Sequence, residues 1–425
     1  MMTDPISHKL LPDNSSVDDD GMLVIAGVRM DTLVAKYGTP LFVYDEAHIR
    51  SRCQQAVQAF GEGVSYASKA FLCTAMARLA YEQGMHIDVA TMGEAYVALE
   101  AGVPASHLVF HGNNKSKTEL QYAIENQIGR IVIDSFDEID RLESLLEGSG
   151  NQIQALIRVT PGIQASTHEY VTTGQDDSKF GFTVSNGIAE NAVSRAASSP
   201  FIDLLGIHAH IGSQVFSLDS FRKAAEVLAN LSNHFDLPEL SVGGGLGVAY
   251  LEDEQSLTIE EWGQAIKSVC DEAGVTARVT SEPGRAIVAS SAITLYSVGT
   301  IKELDGIRTY VAVDGGMHDN PRPALYGSGY ETFMPSRVLD SRTSQITLVG
   351  KHCESGDVLV SQGYVPEGLT VGDMVATPVT GAYGHSMGSN YNKVLRPAAV
   401  FINEGVDRLV IRRETLSDLM NTDMG

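Results

Sequence analysis

Val64-Ser65-Tyr66-Ala67-Ser68-Lys69, followed by a helix-period stretch at 71–83 and then by His86-Ile87-Asp88-Val89-Ala90, forms a complete strand, helix and strand. The two outer runs are short and apolar, and in the middle stretch apolar residues recur at three- and four-residue spacing, the signature of an amphipathic helix. The same alternation continues along the chain. Further strand-like runs fall at 108–111, 131–134, 154–159, 204–210, 240–243 and 278–282, and between the strands lie helix-period stretches such as 118–126, 136–146, 218–235 and 259–273. Eight strand–helix repeats over ~250 residues are the arithmetic of a (β/α)8 TIM barrel.

Beyond about residue 290 the pattern changes. Strand-like runs at 292–298, 308–313, 345–349, 358–361, 374–378, 398–402 and 408–412 predict a second, all-β domain. Met22-Leu23-Val24-Ile25-Ala26 lies ahead of the barrel repeat and is assigned to that domain as one more strand. The expected division is an N-terminal segment 1–38 joining the β-domain, a barrel 39–290 and a C-terminal β-domain 291–425.

The 425 residues, 43% hydrophobic, suffice for a full core in two domains. No apolar run approaches the ~20 residues of a membrane span. The N-terminus is polar and acidic without an apolar signal core, so the cytoplasm is the expected location. A formal charge of −23 favours solubility and opposes binding to nucleic acid or anionic membranes. Cys53, Cys73, Cys270 and Cys353 show neither CxxC nor Cys/His ligand spacing, which argues against structural zinc and against a disulfide scaffold, and no metal is expected.

Chemistry in such a barrel gathers where strands end. Lys69 closes the first strand, His210-Ile211-Gly212-Ser213-Gln214 follows the sixth, Gly243-Gly244-Gly245-Leu246-Gly247 the seventh, and Glu282-Pro283-Gly284-Arg285 the eighth. A lysine at a strand end is by itself commonly a surface cation, and a glycine cluster is commonly a tight turn. Consecutive glycines after strand seven, however, let backbone N–H groups approach a phosphate closely. With a lysine able to form a Schiff base and a carboxylate able to keep a pyridine nitrogen protonated, the set points to pyridoxal 5'-phosphate. Elsewhere, Cys353-Glu354 places a thiol beside a carboxylate, ahead of a strand. That thiol could serve as a nucleophile, a ligand or a proton donor.

These motifs, with His111-Gly112-Asn113-Asn114-Lys115, Thr167-His168, Lys179-Phe180-Gly181, Cys353-Glu354-Ser355-Gly356-Asp357 and Gly381-Ala382-Tyr383, resemble the fold type III pyridoxal-phosphate decarboxylases. Within them the chain is most similar to the diaminopimelate decarboxylases of the actinobacterial kind, over about residues 38–420. The resemblance implies an alanine racemase-like barrel in which Lys69 carries the cofactor, Glu282 faces its ring nitrogen and His210 stacks on the ring. Ser213, Gly243, Gly244, Gly245, Gly284, Arg285 and Tyr391 would hold the phosphate.

For the substrate, meso-2,6-diaminopimelate, the resemblance implies contacts from Arg285, Arg322, Tyr326, Glu354 and Tyr391, with two arginine forks on the distal carboxylate and Glu354 on the distal ammonium. Cys353 would be the general acid, since thiols stay mostly protonated at neutral pH. It also implies a homodimer in which Cys353 and Glu354 reach the neighbouring subunit's site. The product would be L-lysine, the end of lysine biosynthesis. Two other readings compete: decarboxylation of ornithine or arginine on the same fold, and an inactive homologue that only binds a partner. Glu354 and Arg322 oppose the first, and the presence of Lys69, His210, Glu282 and Cys353 together opposes the second.

Overall fold

The computed structural model describes residues 4–163, 175 and 177–425. Thr167, His168 and most of the stretch 170–179, including Gly174 and Asp176, lie outside the described residues. The chain divides into two compact units: Arg52–Gly247 with Ser256–Ala286, and Met1–Ser51 with Val248–Gln255 and Ile287–Gly425.

The first unit is the barrel. Parallel strands Ser65–Ala67, His86–Val89, Leu108–Phe110, Arg130–Ile133, Ile153–Thr160, Ile202–His208, Glu239–Ser241 and Arg278–Thr280 pair in chain order. The seam is closed by backbone bonds from Ser65 N–H to the Ser281 carbonyl, 2.9 Å, and from Ala67 N–H to the Pro283 carbonyl, 3.2 Å. All eight strands match expected runs, with ends shifted by a few residues. A short extra strand, Phe182–Thr183, pairs beside the fifth.

Helix starts follow local chemistry. Ser116 and Thr258 form capping boxes with Glu119 and Glu261, and Ser135 accepts from the Glu138 N–H. In the sixth strand the register shifts between Leu204 and Gly206. A Cβ on Gly206 would stand 1.9 Å from the Glu239 carbonyl oxygen, so only glycine permits the pairing. This bulge sets the phase of His208 and His210 beyond it.

The second unit holds an eight-stranded sheet. Its order is Val358–Val365, Ser344–Val349, Arg308–Val313, Ala292–Leu304, Leu41–Asp45, Ala398–Asn403, Val406–Ile411, with Met374–Pro378 also paired to Ala292–Leu304. The expected sheet is therefore present in this unit, which also holds the helices Met30–Tyr37 and Arg322–Tyr326, but two details of strand pairing could not be read from the sequence. Met22–Ala26 lies in this unit but not in this sheet: Leu23–Ile25 pairs with Ser15–Val17 and Val28–Arg29 in a separate three-stranded sheet. The early strand that does join is Leu41–Asp45, antiparallel to Ala292–Leu304 and parallel to Ala398–Asn403. The boundaries 39–290 and 291–425 shift accordingly, because pairing across hundreds of residues, invisible to local patterning, decides which unit takes that strand.

Candidate active site

At the carboxyl ends of the barrel strands the side chains are polar, and much of the set is buried. Glu282, 7% exposed, is the centre. One of its oxygens lies 2.9 Å from His208 Nε2, and the other accepts from Ser241 Oγ at 3.0 Å. His111 Nε2 stands 3.4 Å from Glu282 Oε1 and 3.5 Å from Asp88 Oδ1. Burial alone would raise the Glu282 carboxyl, but His208 and His111 outweigh it and hold Glu282 well below the usual carboxylate range. Burial pushes His208 down to about 4, so it is neutral, and pushes Asp88 up to about 6.

His111, His208 and Glu282 each offer one ligand atom within 4.8 Å of the others, the one such group found among the described residues. Sequence spacing did not reveal it, because the three come from different strand ends. Their visible signal was a histidine at or just past the end of a strand.

Lys69 lies in the single turn Ser68–Ala70 directly after the first strand, exposed at the mouth, and the turn is tied back by Tyr66 Oη donating to the Phe71 carbonyl at 2.7 Å. Its ammonium is near enough to bear electrostatically on Asp88 and His210. His210 accepts from the Gly244 N–H through Nδ1 at 3.2 Å. Burial, then Lys69 and Arg158, hold its pKa well below the usual imidazole value.

The glycines bring three loops together. A Cβ on Gly243 would stand 2.2 Å from the Ala209 carbonyl oxygen, one on Gly244 2.3 Å from that of Glu282, and one on Gly245 2.2 Å from that of Gly212. The loops after strands six, seven and eight thus touch backbone to backbone, and Gly284 is similarly pressed on Ala67. Arg285 Nη2 donates to Ser213 Oγ at 2.9 Å in the same region. Backbone gathered in this way, with a guanidinium and a hydroxyl, fits a phosphate, and an anionic carboxylate on the barrel floor fits a pyridinium nitrogen.

The remaining predicted residues belong to the β unit. Cys353 and Glu354 are exposed on the loop after Ser344–Val349. Asp357 builds that loop by accepting the N–H groups of Met317, 2.6 Å, and His352, 2.9 Å. Glycine at 350 leaves room for it, since a Cβ there would meet the carboxylate at 2.2 Å. Tyr391 Oη donates to Glu354 Oε2 at 3.1 Å, and the His352 ring lies 5.1 Å from that of Tyr391.

Arg322 and Tyr326 bound a short helix, Arg322–Tyr326. Arg322 is 4% exposed, with its guanidinium 4.0 Å from the Tyr250 ring centroid and 5.3 Å from that of Tyr330. No carboxylate pairs with it among the described residues. A groove of about 690 Å³ runs beside this helix, lined in part by Leu251, Pro323, Tyr330, Gly356 and Val360. Tyr250 and Tyr330 were not anticipated, since nothing local distinguishes them from core tyrosines.

Barrel and site together define a pyridoxal-phosphate-dependent decarboxylase. Residues 46–289 match the model of the pyridoxal-dependent decarboxylase family's pyridoxal binding domain. The diaminopimelate decarboxylase of Bacillus subtilis is 45% identical across 96% of this chain and 97% of its own, and that of Mycobacterium bovis is 43% identical across 99% and 98%. A crystal structure of diaminopimelate decarboxylase from M. jannaschii in co-complex with L-lysine superposes with a TM-score of 0.90 at 30% identity, covering 97% of this chain and 98% of that one. The chain belongs to the diaminopimelate decarboxylase family. Its cofactor is pyridoxal phosphate. No helix among the described residues is long and apolar enough to cross a membrane.

Proposed function

We propose that the protein converts meso-2,6-diaminopimelate to L-lysine and carbon dioxide, the last step of lysine biosynthesis, as a cytoplasmic homodimer. The observation that carries the substrate assignment is Arg322, a buried guanidinium stacked on Tyr250 and lacking a carboxylate partner among the described residues. A buried cation of this kind calls for an anion. Diaminopimelate has a carboxylate at its far end, whereas ornithine and arginine do not.

Lys69 Nζ would hold the cofactor's aldehyde carbon between turnovers, with Glu282 keeping a proton on the ring nitrogen and His210 covering one ring face. Ser213, Gly243, Gly244, Gly245, Gly284, Arg285 and Tyr391 would hold the phosphate. When bound, pyridoxal phosphate supplies a ring that accepts the electron pair left on the α-carbon as carbon dioxide departs. Arg285 and Arg322, with Tyr326, would grip the distal carboxylate, and Glu354 and Tyr391 the distal amino group. Cys353 Sγ–H would deliver the proton that replaces the lost carboxylate on the α-carbon and then recover one from solvent.

The exposure of Cys353 and Glu354 supports a site completed across a homodimer, with each β unit lending these two residues to the other subunit. Mixing Lys69→Ala with Cys353→Ala protein tests this: each is inactive alone, and subunit exchange restores up to about a quarter of native turnover if one intact site forms per mixed dimer. No recovery after demonstrated exchange would refute shared sites.

A further inference from the structure

Beneath the proposed cofactor site lies an arrangement with more carboxylates than one ring nitrogen needs. Asp88, at the end of the second strand, and Glu282, past the eighth, both point an oxygen at the same atom, His111 Nε2, at 3.5 and 3.4 Å. All three side chains are less than 10% exposed. Two buried carboxylates that share one neighbour oppose each other's ionisation unless a cation stands between them.

His208 helps to hold Glu282 ionised as a hydrogen-bond partner but puts no cation between the two carboxylates. It is neutral, its Nε2 hydrogen is directed at Glu282, and its Nδ1 has no hydrogen-bond partner among the described residues, as expected for the tautomer protonated on Nε2. Arg158 bears on the same groups from the fifth strand, but its nearest carboxylate among the described residues is Asp134 at 3.6 Å. His111, whose ring lies edge-on to His208 at 4.8 Å, is the group placed between the two carboxylates.

We propose that His111 is a positioning residue for the decarboxylation: as the imidazolium bridging Asp88 and Glu282, it keeps Glu282 anionic beneath the cofactor's ring nitrogen and leaves Asp88 as its counter-ion. Burial lowers His111, but its two acidic neighbours, Asp88 and Glu282, raise it by more, which is the direction the bridge requires. Without that proton the two carboxylates would share one between them. Glu282 would then be protonated part of the time and would no longer hold the ring nitrogen in its protonated form. This rests on the assignment of Glu282 to the ring nitrogen.

The test is a set of variants read by two measurements, pyridoxal phosphate titration of the apoprotein followed by visible absorbance, and kcat on meso-diaminopimelate. His111→Gln is expected to lower both cofactor affinity and kcat by about tenfold. In the Glu282→Gln background the same change should cost little more, because its target is gone. Adding Asp88→Asn to His111→Gln should restore at least half of the lost affinity, since the competing carboxylate has been removed. A merely structural role for His111 predicts the opposite: multiplied losses in the first pair and no rescue in the second, and either result overturns the proposal.

Should His111→Gln fail to fold, Asp88→Asn alone decides. Cofactor affinity within threefold of native supports the bridge, and a tenfold loss overturns it. Glu282→Gln indistinguishable from native in both measurements would instead bring down the ring-nitrogen assignment itself, a separate failure.

Discussion

Lys115 closes the His111–Lys115 motif and is buried at 2% exposure. Its ammonium meets Glu138 Oε1 at 2.7 Å and donates to the carbonyls of Gly112 at 2.7 Å and Val132 at 2.8 Å. The pair ties the loop after the third strand to the helix after the fourth, and burial drives both partners toward their neutral forms. Replacing Lys115 by Met keeps the volume but leaves a buried carboxylate with the Asp134 N–H, at 3.0 Å, as its remaining donor among the described residues.

Glu138 can escape that penalty only by taking up a proton. Starting from the ordinary value of 4.5, this costs about 3.4 kcal/mol at pH 7 and about 0.7 kcal/mol at pH 5. Two carbonyls losing their donor add about 1 kcal/mol each. The barrel should therefore lose about 5 kcal/mol at pH 7 and about 3 kcal/mol at pH 5. The sign follows from a raised carboxyl pKa in the folded variant, since stability is full below the unfolded value and is lost as pH rises through the folded one.

Trp262, the one tryptophan of the chain, is fully buried in the barrel unit with its ring centroid 4.8 Å from Phe60 and 5.4 Å from Phe221, so its fluorescence reports barrel unfolding. With a slope of about 3 kcal/mol per molar urea, the pH 7 midpoint should fall by about 1.7 M. A loss below 2 kcal/mol at pH 7, or an equal loss at both pH values, would refute a charged buried pair.

Gly244→Ala forces a Cβ into the Glu282 carbonyl oxygen at 2.3 Å, and the loop can yield only by spreading the phosphate cradle. Cofactor affinity should drop about tenfold or more in an absorbance titration, and unchanged affinity would count against the cradle. Arg322→Met should raise KM for meso-diaminopimelate by about 10- to 100-fold with a smaller change in kcat, because a charge-assisted contact to a carboxylate is lost; steady-state kinetics decide it. Asp319 is fully buried, bonded to Tyr296 Oη at 2.7 Å and the Gly316 N–H at 2.8 Å, and burial pushes it up to about 7. Its contribution to β-unit stability is therefore lost as pH rises from about 4 through 7, and Asp319→Asn should flatten the unfolding midpoint between pH 5 and pH 8.

The barrel was legible because each strand carries its own local signal: a short apolar run, then a helix period, repeated eight times. Gly243, Gly244, Gly245 and Glu282 were legible as strand-end residues for a related reason, since they sit in sequence directly after runs already read as strands. Leu41–Asp45 was not. An apolar five-residue strand looks the same whichever sheet receives it, and its neighbours, Ala292–Leu304 and Ala398–Asn403, lie hundreds of residues away. The His111, His208 and Asp88 array escaped notice because closure of the barrel, and no spacing along the chain, brings strands two, three, six and eight to one point. Tyr250 and Tyr330 became visible only once Arg322 was seen lying against them.

Substrate choice is the most direct measurement. Holoprotein supplied separately with meso-diaminopimelate, L-lysine, L-ornithine and L-arginine, and followed by carbon dioxide release and by mass spectrometry of the amine product, should turn over diaminopimelate to L-lysine with kcat/KM at least a hundredfold above the others. Comparable or faster release from ornithine or arginine would contradict a site built around Arg322 and Glu354 for a substrate that carries a carboxylate and an ammonium at its far end.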